Sequence, residues 1–292
     1  MIETQVLSGK IISQHVYDSL ALRITTLKNN TITPSLAVVL VGNNPASAAY
    51  VRSKENIFNH LKLHTKTFQL EHDTTELELL QLLNNLNKDK QYHGILVQLP
   101  LPGHIDTQNI LCSIDPRKDV DGFHPENVGL LSTGHPRYIP CTPKGIIKIL
   151  EYASISLHQK HVVVIGRSNI VGRPISILTS LKMENSNGTT TLCHSGTLDI
   201  KSFTMHADVV IVAIGQPKSI TGDMIKSGTV IIDVGINRVD AKNEKSYKLV
   251  GDVDWDSIQG IAVAATPVPG GIGPMTIAML VENTIEAAER TL

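Results

Sequence analysis

The chain has 292 residues, and 26 Lys+Arg against 27 Asp+Glu leave a net charge of −1. That balance excludes a nucleic-acid-coating protein and an acidic disordered tail, and 41% hydrophobic residues exclude wholesale disorder. An aromatic content of 4% argues against gripping single strands by stacking, and three scattered cysteines, Cys112, Cys141 and Cys193, fit a reduced, cytoplasmic enzyme. The start MIETQ has no basic stretch before an apolar run, and no apolar run approaches about 18 residues, so neither a signal peptide nor a membrane span is expected. At roughly 100–200 residues per domain the length suggests two domains or one large one.

Val16, Leu20, Ile24 and Leu27 recur at helical spacing. SLAVVLVG (35–42) is a buried-strand run ending at a Gly-Asn turn; 46–61 reads as a helix and TKTFQL (65–70) as a strand. Thr75 and Glu78 form a capping box ahead of a stripe of Leu77, Leu80, Leu83 and Leu86. GILVQLP (94–100) is a further buried strand. Residues 101–143, rich in Pro, Gly, Asp and His, lack periodicity and are expected to be irregular, serving as functional loop and domain junction together. A second series follows: strands at HVVVIG (161–166), TTTLCH (189–194), ADVVIVAIG (207–215) and GTVIIDVGI (228–236), with a helix after Gly172 and Pro174. A last helix runs from Pro274 to about Arg290, with proline in the first turn where its missing N–H costs nothing. Strands alternating with helices predict α/β architecture with parallel sheets covered on both faces.

VVVIGRSNIVGRP (162–174) is strand, turn and helix start, and a helix N-terminus offers free N–H groups to a phosphate. Gly166 and Gly172 allow a tight turn and close packing, but against the G-x-G-x-x-G fingerprint Ser168 stands at the middle glycine and the match is partial; an ordinary βα turn is the plain alternative. The next strand ends Cys193-His194-Ser195 with no carboxylate for a ribose 2′-OH, and Arg167 and Arg173 flank the turn, which favours NADP over NAD.

Tyr50 and Lys54, four apart, face the same way on a helix. Tyr-x-x-x-Lys is also the short-chain dehydrogenase pair, but there it follows the glycine-rich turn, so chain order excludes that family. A half-buried Tyr beside a solvated Lys is the plain alternative. Gln98 ends a strand, where parallel sheets bind ligands, and a Gln in an apolar strand needs a polar partner. DVDGFHPENVG (119–129) gathers two Asp, a His and a Glu, but its spacing matches no common metal set. His124-x-Glu126 with Pro140-Cys141 is close to a zinc deaminase signature, yet Lys144 stands where its last cysteine belongs, so no metal is expected. TPVPGGIGP (266–274) has glycines that allow close approach to a flat ligand or a phosphate, a simple connecting loop being the alternative.

SAAYVRSK (47–54), GILVQLPLPGHI (94–105), DVDGFHPENVG (119–129), PCTPKG (140–145), VVIGRSNIVGRP (163–174), CHSGT (193–197), GDVD (251–254) and TPVPGGIGPMTIAML (266–280) together resemble the bifunctional methylenetetrahydrofolate dehydrogenase/cyclohydrolase family, in its order along the whole chain. One departure follows Lys54, where the family commonly has a second Lys and a later Gly-Ile; Asn56 and Leu61-Lys62-Leu63 stand here, and altered packing is expected. The resemblance implies two αβα domains with a cleft between them: residues 1–140 binding folate, residues 141–269 a Rossmann-like NADP domain, and the helix 270–292 returning to the first. It implies a homodimer acting on tetrahydrofolate derivatives, with NADP-dependent oxidation of the methylene form followed by hydrolysis of the methenyl form. Carried over position by position, Lys54 is the acid/base, Gln98 tunes it and Asp121 holds the polar edge of the pterin. Tyr50 stacks on the aminobenzoate ring, and Ser47, Val97, Leu99, Cys141 and the turn Pro269, Gly270, Gly271, Ile272 and Gly273 line the folate pocket. The cofactor falls to Gly166, Arg167, Ser168, Gly172, Arg173, Ser195 and Ile236.

Overall fold

A computed structural model describes residues 3–240 and 247–292. In chain order the elements are β1 (Gln5–Val6), α1 (Gly9–Asn29), β2 (Ser35–Val41), α2 (Pro45–His60), β3 (His64–Leu70), α3 (Glu76–Lys88), β4 (Gly94–Val97), α4 (Thr107–Ser113), α5 (Pro125–Ser132) and α6 (Cys141–Tyr152). They continue as β5 (His161–Ile165), α7 (Gly172–Ser180), β6 (Thr189–Cys193), α8 (Ile200–Thr204), β7 (Val209–Val212), β8 (Val230–Asp233), β9 (Asn237–Asp240), β10 (Tyr247–Val250), β11 (Ala264–Ala265) and α9 (Ile272–Glu289).

Contacts group the chain into two compact units. One comprises Val16–Cys141 with Ile277–Leu292; the other comprises Thr142–Thr276 with the chain up to His15. The sequence divided the chain at 140/141 with everything before it in one domain. The segment up to His15 departs from that division because β1 pairs in parallel with β11, far along the chain. The last segment divides too: residues 270–276 group with the second unit and 277–292 with the first.

The first unit holds a three-stranded parallel sheet in the order β3-β2-β4. All seven residues of β2 are buried, which explains its unbroken apolar run: a strand covered on both faces has no polar side. Val39, Val41, Ile95 and Val97 pack with Leu79, Leu83 and Leu86 of α3 in one core cluster. The capping box forms, with Thr75 Oγ1 accepting from Glu78 N–H and the Glu78 carboxylate accepting from Thr75 N–H. Of the expected stripe, Leu83 and Leu86 are buried and Leu80 packs partly buried against the core. Leu79, not Leu77, starts the buried face; Leu77 sits two residues and so ~200° around the helix, and is 65% exposed. The stretch 101–143 is not irregular throughout, since α4 and α5 lie within it. They were missed because each is under three turns and opens on a side-chain cap, Asp106 for α4 and His124 for α5. After Lys54, Asn56 is exposed while Phe58 and Leu63 are buried, so the departing segment seats its own apolar anchors.

The second unit holds a six-stranded parallel sheet in the order β1-β11-β8-β7-β5-β6. A core cluster of Val163, Ile165, Val210, Val212 and Ile231 fills one face. The antiparallel pair β9-β10 was not foreseen, because Asn237–Asp240 and Tyr247–Val250 are half exposed and carry no apolar run.

In both units the chain order reverses about a central strand. From β2 the chain goes to β3 on one side and then to β4 on the other; from β5 it goes to β6 and then to β7. Ligands of open parallel sheets bind outside the carboxyl ends of strands at such reversals. Gln98 follows β4 directly and Gly166 follows β5 directly, so each sequence-flagged cluster stands at a reversal.

Candidate active site

In the first unit the site is built on α2, which leaves the carboxyl end of β2. Asn44 caps it, its Oδ1 accepting from Ala46 and Ser47 N–H at 2.9 and 3.1 Å. Ser47, Val51, Lys54 and Phe58 are its buried residues, spaced 4, 3 and 4 along the chain, which is one helix face. Lys54 thus sits on the apolar face and is only 9% exposed, so the solvated reading of this lysine is overturned. Tyr50, at the edge of that face, is 40% exposed, and partial burial raises its phenol pKa.

Lys54 Nζ donates to Gln98 Oε1 at 2.9 Å. Gln98 is held at both ends: its backbone N–H donates to Val39 carbonyl at 2.8 Å and its side-chain Nε2 to Leu99 carbonyl at 2.7 Å. With Nε2 donating to the Leu99 carbonyl, Oε1 is the atom Gln98 turns to Lys54. Val97 packs its side chain into the core cluster, and Leu99 is half-buried.

Asp121 arrives on a segment that runs beside β4: Ile95 bridges Asp119 in parallel and donates to Lys118 carbonyl at 2.8 Å. Asp119 shapes the loop. Buried, it accepts from His124 N–H and Asn127 Nδ2, both at 2.8 Å. The other polar groups of this loop pair locally, His124 Nδ1 accepting from Glu126 N–H and the Glu126 carboxylate meeting Arg137 at 2.6 Å. Among the described residues no cluster of three or more His, Cys, Asp or Glu could hold a metal ion. Buried Cys141 donates to Val120 carbonyl at 3.5 Å. Asn283 of α9, which is 0% exposed, donates to the carbonyls of Val120 and Ile139 at 2.8 and 3.0 Å and so ties the Asp121 and Cys141 segments together.

Electrostatics follow from burial. Removal from water lowers the Lys54 pKa, and the Asp121 carboxylate opposes that shift. Burial raises the Asp121 pKa while the Lys54 cation pulls it down and Asp119 pushes it up. The result is an amine whose proton is loosely held, facing an acceptor and an acid: the arrangement of a general acid/base.

In the second unit Gly166 has φ +118°, and a Cβ there would overlap the Ala213 carbonyl oxygen; one on Gly172 would overlap the Gly166 carbonyl. Both are therefore glycine for steric reasons, and they form a tight cradle before α7. Ser168, at the fingerprint's middle position, turns its hydroxyl inward to accept from Val171 and Gly172 N–H at 3.2 and 3.4 Å. Arg167 and Arg173 are exposed on either side, free to meet an anion. Ser195 lies in the turn after β6, where Gly166 N–H donates to Cys193 carbonyl at 2.9 Å, placing this turn against the glycine turn. The absence of any carboxylate in it fits a phosphorylated ribose. The 269–273 turn stands apart from the cradle in sequence. Gly9 packs so closely on Gly271 that a Cβ would overlap its carbonyl, Gly270 has φ +105°, and exposed Ile236 lies beside Gly273. Pro269 and Ile272 flank these glycines, Ile272 being buried.

The sequence missed Asp119, Asn283, Asp233 and Asp252. Asp119 shares its motif with Asp121, and Asp252 lies in GDVD, so both were in view without a role; Asn283 is one polar residue in an apolar helix stripe.

The sequence profile described as tetrahydrofolate dehydrogenase/cyclohydrolase, catalytic domain, matches residues 7–121, and that described as its NAD(P)-binding domain matches residues 140–292. The chain is 48% identical over 287 residues to the bifunctional protein FolD of Acetivibrio thermocellus, covering 98% of each. It superposes with TM-score 0.93 at 45% identity on the bifunctional FolD methylenetetrahydrofolate dehydrogenase/cyclohydrolase of Campylobacter jejuni, covering 99% of this chain and 100% of that one. The methylenetetrahydrofolate dehydrogenase-cyclohydrolase of Trypanosoma brucei, solved with NADP cofactor and inhibitor, superposes with TM-score 0.94 at 34% identity, covering 100% of this chain and 99% of that one.

Proposed function

The chain belongs to the tetrahydrofolate dehydrogenase/cyclohydrolase family, and on that premise we propose how its residues divide two reactions. The enzyme oxidises 5,10-methylenetetrahydrofolate to the methenyl cation with NADP and hydrolyses that cation to 10-formyltetrahydrofolate. The unit around Lys54 binds the folate; the Rossmann-like unit binds NADP.

The observation that carries the assignment of roles is the buried Lys54 ammonium on Gln98 at the carboxyl end of β4. A water oxygen adds to the methenyl carbon, and Lys54 takes one of its protons. The bond from that carbon to N5 then breaks, Lys54 returns a proton to N5, and the second water proton is released. An amine can alternate in this way near neutral pH only with a depressed pKa, which burial and the cationic substrate both favour. Gln98 orients the amine through its Oε1. Asp121 accepts hydrogen bonds from the N–H edge of the pterin. Tyr50, half exposed at the edge of the buried face, stacks on the aminobenzoate ring, and Ser47 and Cys141 line the pocket.

The Gly166–Gly172 cradle and the α7 N-terminus suit a pyrophosphate, and Arg167, Arg173 and Ser195 suit a 2′-phosphate. NADP, when bound, supplies the hydride acceptor, so the protein contributes alignment and no acid or base at carbon. The working form is a homodimer in the cytoplasm. Among the described residues no helix is long and apolar enough to cross a membrane.

The test is an absorbance assay of purified protein with methylenetetrahydrofolate, comparing NADP with NAD. NADPH forming well above the NADH rate is the expected result. No reduction with either cofactor would overturn the dehydrogenase assignment, and methenyl hydrolysis would be assayed next.

A further inference from the structure

Two buried carboxylates lie behind the glycine turn and take no part in the roles above. Asp252 is fully buried. Its Oδ2 accepts from the backbone N–H groups of Ile214 and Gly215 at 2.8 and 2.9 Å, and its Oδ1 from Asn237 Nδ2 at 2.8 Å. Asp233 braces it: Oδ1 accepts from Gly235 and Asp252 N–H, and Oδ2 from Val253 N–H, each at 3.0 Å. The chain makes room for this pair. A Cβ on Gly235 would overlap the Asp252 carboxylate, and one on Gly251 would overlap that of Asp233.

What Asp252 grips is the turn that follows β7. Ala213, the residue before Ile214, continues the pairing with β5 by donating to Ile165 carbonyl at 2.8 Å. Its own carbonyl is the atom that forbids a side chain at Gly166. Gly215 has φ +67°, and the direction its Cβ would take is open space. The 213–215 turn is thus packed on the Gly166 turn on one side and open on the other, at the carboxyl ends of the two strands where the sheet order reverses.

We propose that Asp252 is a positioning residue for the dinucleotide: by holding the Ile214 and Gly215 N–H groups it fixes the 213–215 turn against the Gly166 turn and so keeps the cofactor's wall in place. The inference rests on the assignment of NADP to that turn. Buried N–H groups need an acceptor, and an ionised one binds them about twice as strongly as a neutral one. Because Asp252 is covered on every side, it acts through backbone and not by touching the ligand.

The experiment compares Asp252→Asn and Asn237→Ala with the unaltered enzyme. It measures the KM for NADP and kcat in oxidation, and methenyl hydrolysis without cofactor. Asp252→Asn keeps the shape but loses the charge, and raises the NADP KM about tenfold. Asn237→Ala frees one carboxylate oxygen and raises it about threefold. Hydrolysis moves less than twofold in both. A residue that only stabilises the fold would lower both activities together or leave the KM alone, and either result overturns the proposal. If Asp252→Asn does not fold, an unchanged KM in Asn237→Ala overturns it by itself. A fluorescence titration of Trp255 with NADP separates the two levels. Unaltered enzyme that does not bind NADP overturns the cofactor assignment and this inference together; normal binding with unchanged variant KM overturns the inference alone.

Discussion

Replacing Lys54 by Met removes the ammonium and keeps most of the side-chain length. In the folded protein that ammonium is almost wholly buried, with Gln98 Oε1 at 2.9 Å as its acceptor and Asp121 as its charged neighbour. A positioned acid/base contributes about 10²–10⁴-fold in rate, which is roughly 3–5 kcal/mol of barrier. In the proposed mechanism hydrolysis uses that group twice, for the water proton and for N5, so the full range is at stake and a loss of about 10³-fold or more is expected. Hydride transfer needs no proton moved at carbon, so oxidation falls only as far as folate binding does, by less than about tenfold. Methenyl hydrolysis is followed by loss of the methenyl absorbance and oxidation by NADPH formation, on the same preparation. The surviving oxidation doubles as the control that the variant is folded. Equal loss of the two activities would refute the assignment, because it would mean that Lys54 serves binding or folding and not the proton.

Asp121→Asn removes the charge that opposes the depression of the Lys54 pKa. That pKa then falls further, the neutral amine is available at lower pH, and the rising limb of the hydrolysis profile moves to lower pH while folate KM rises; a limb that stays put or moves up, or an unchanged folate KM, contradicts the reading. Arg167→Ala and Arg173→Ala each remove one exposed cation from the turn, and each lowers kcat/KM for NADP about tenfold with NAD use unchanged, since a hydrogen bond between charged groups is worth about 1.5–3 kcal/mol. Equal loss with both cofactors would place these arginines off the 2′-phosphate. Asn283→Leu strips the donor from the buried Val120 carbonyl and the part-buried Ile139 carbonyl, at about 1–3 kcal/mol each. Urea unfolding should show about 2–6 kcal/mol lost, and a change under about 0.5 kcal/mol would show that the clamp does not hold the loop.

The parts of the fold legible in the sequence were those with strong periodicity. β2 and β5 are runs of Val, Leu and Ile because both their faces are covered, and they were placed to within a residue. The capping box at Thr75 fixed the start of α3, and Leu83 and Leu86 of the expected stripe are buried, but its first member was misplaced, since Leu77 and Leu79 are equally apolar and only packing decides between them. β1, β11 and the β9-β10 pair were illegible for a different reason. Two-residue strands have no period, and the half-exposed pair has no apolar face to reveal it. At the site, Gln98 stood out as a polar residue in an apolar strand and Lys54 by its helical spacing from Tyr50, although nothing local showed that this lysine is buried. Asn283 stands in an apolar pattern too, but its partners are backbone carbonyls far along the chain, which leave no mark on the sequence.

The two reactions write themselves into the sequence in opposite ways, and that difference explains which residues can be separated by mutation. Proton transfer requires a titrating side chain where water is scarce, so on the proposed roles it appears as an excess: Lys54 on a buried helix face, Gln98 at the end of an apolar strand, Asp121 as the charge acting on Lys54. Hydride transfer requires a cofactor laid close to the backbone, so it appears as a deficit: Gly166 and Gly172, each unable to carry a Cβ. Side chains in excess can be removed one at a time without moving the main chain. Glycines that let two turns touch cannot be changed without shifting both, and the carboxylate of Asp252 that holds one of those turns from behind shares that constraint. Substitutions around Lys54 should therefore divide the two activities cleanly and leave cofactor binding intact, whereas substitutions around Gly166 should grade from weakened NADP binding to loss of the second unit's fold.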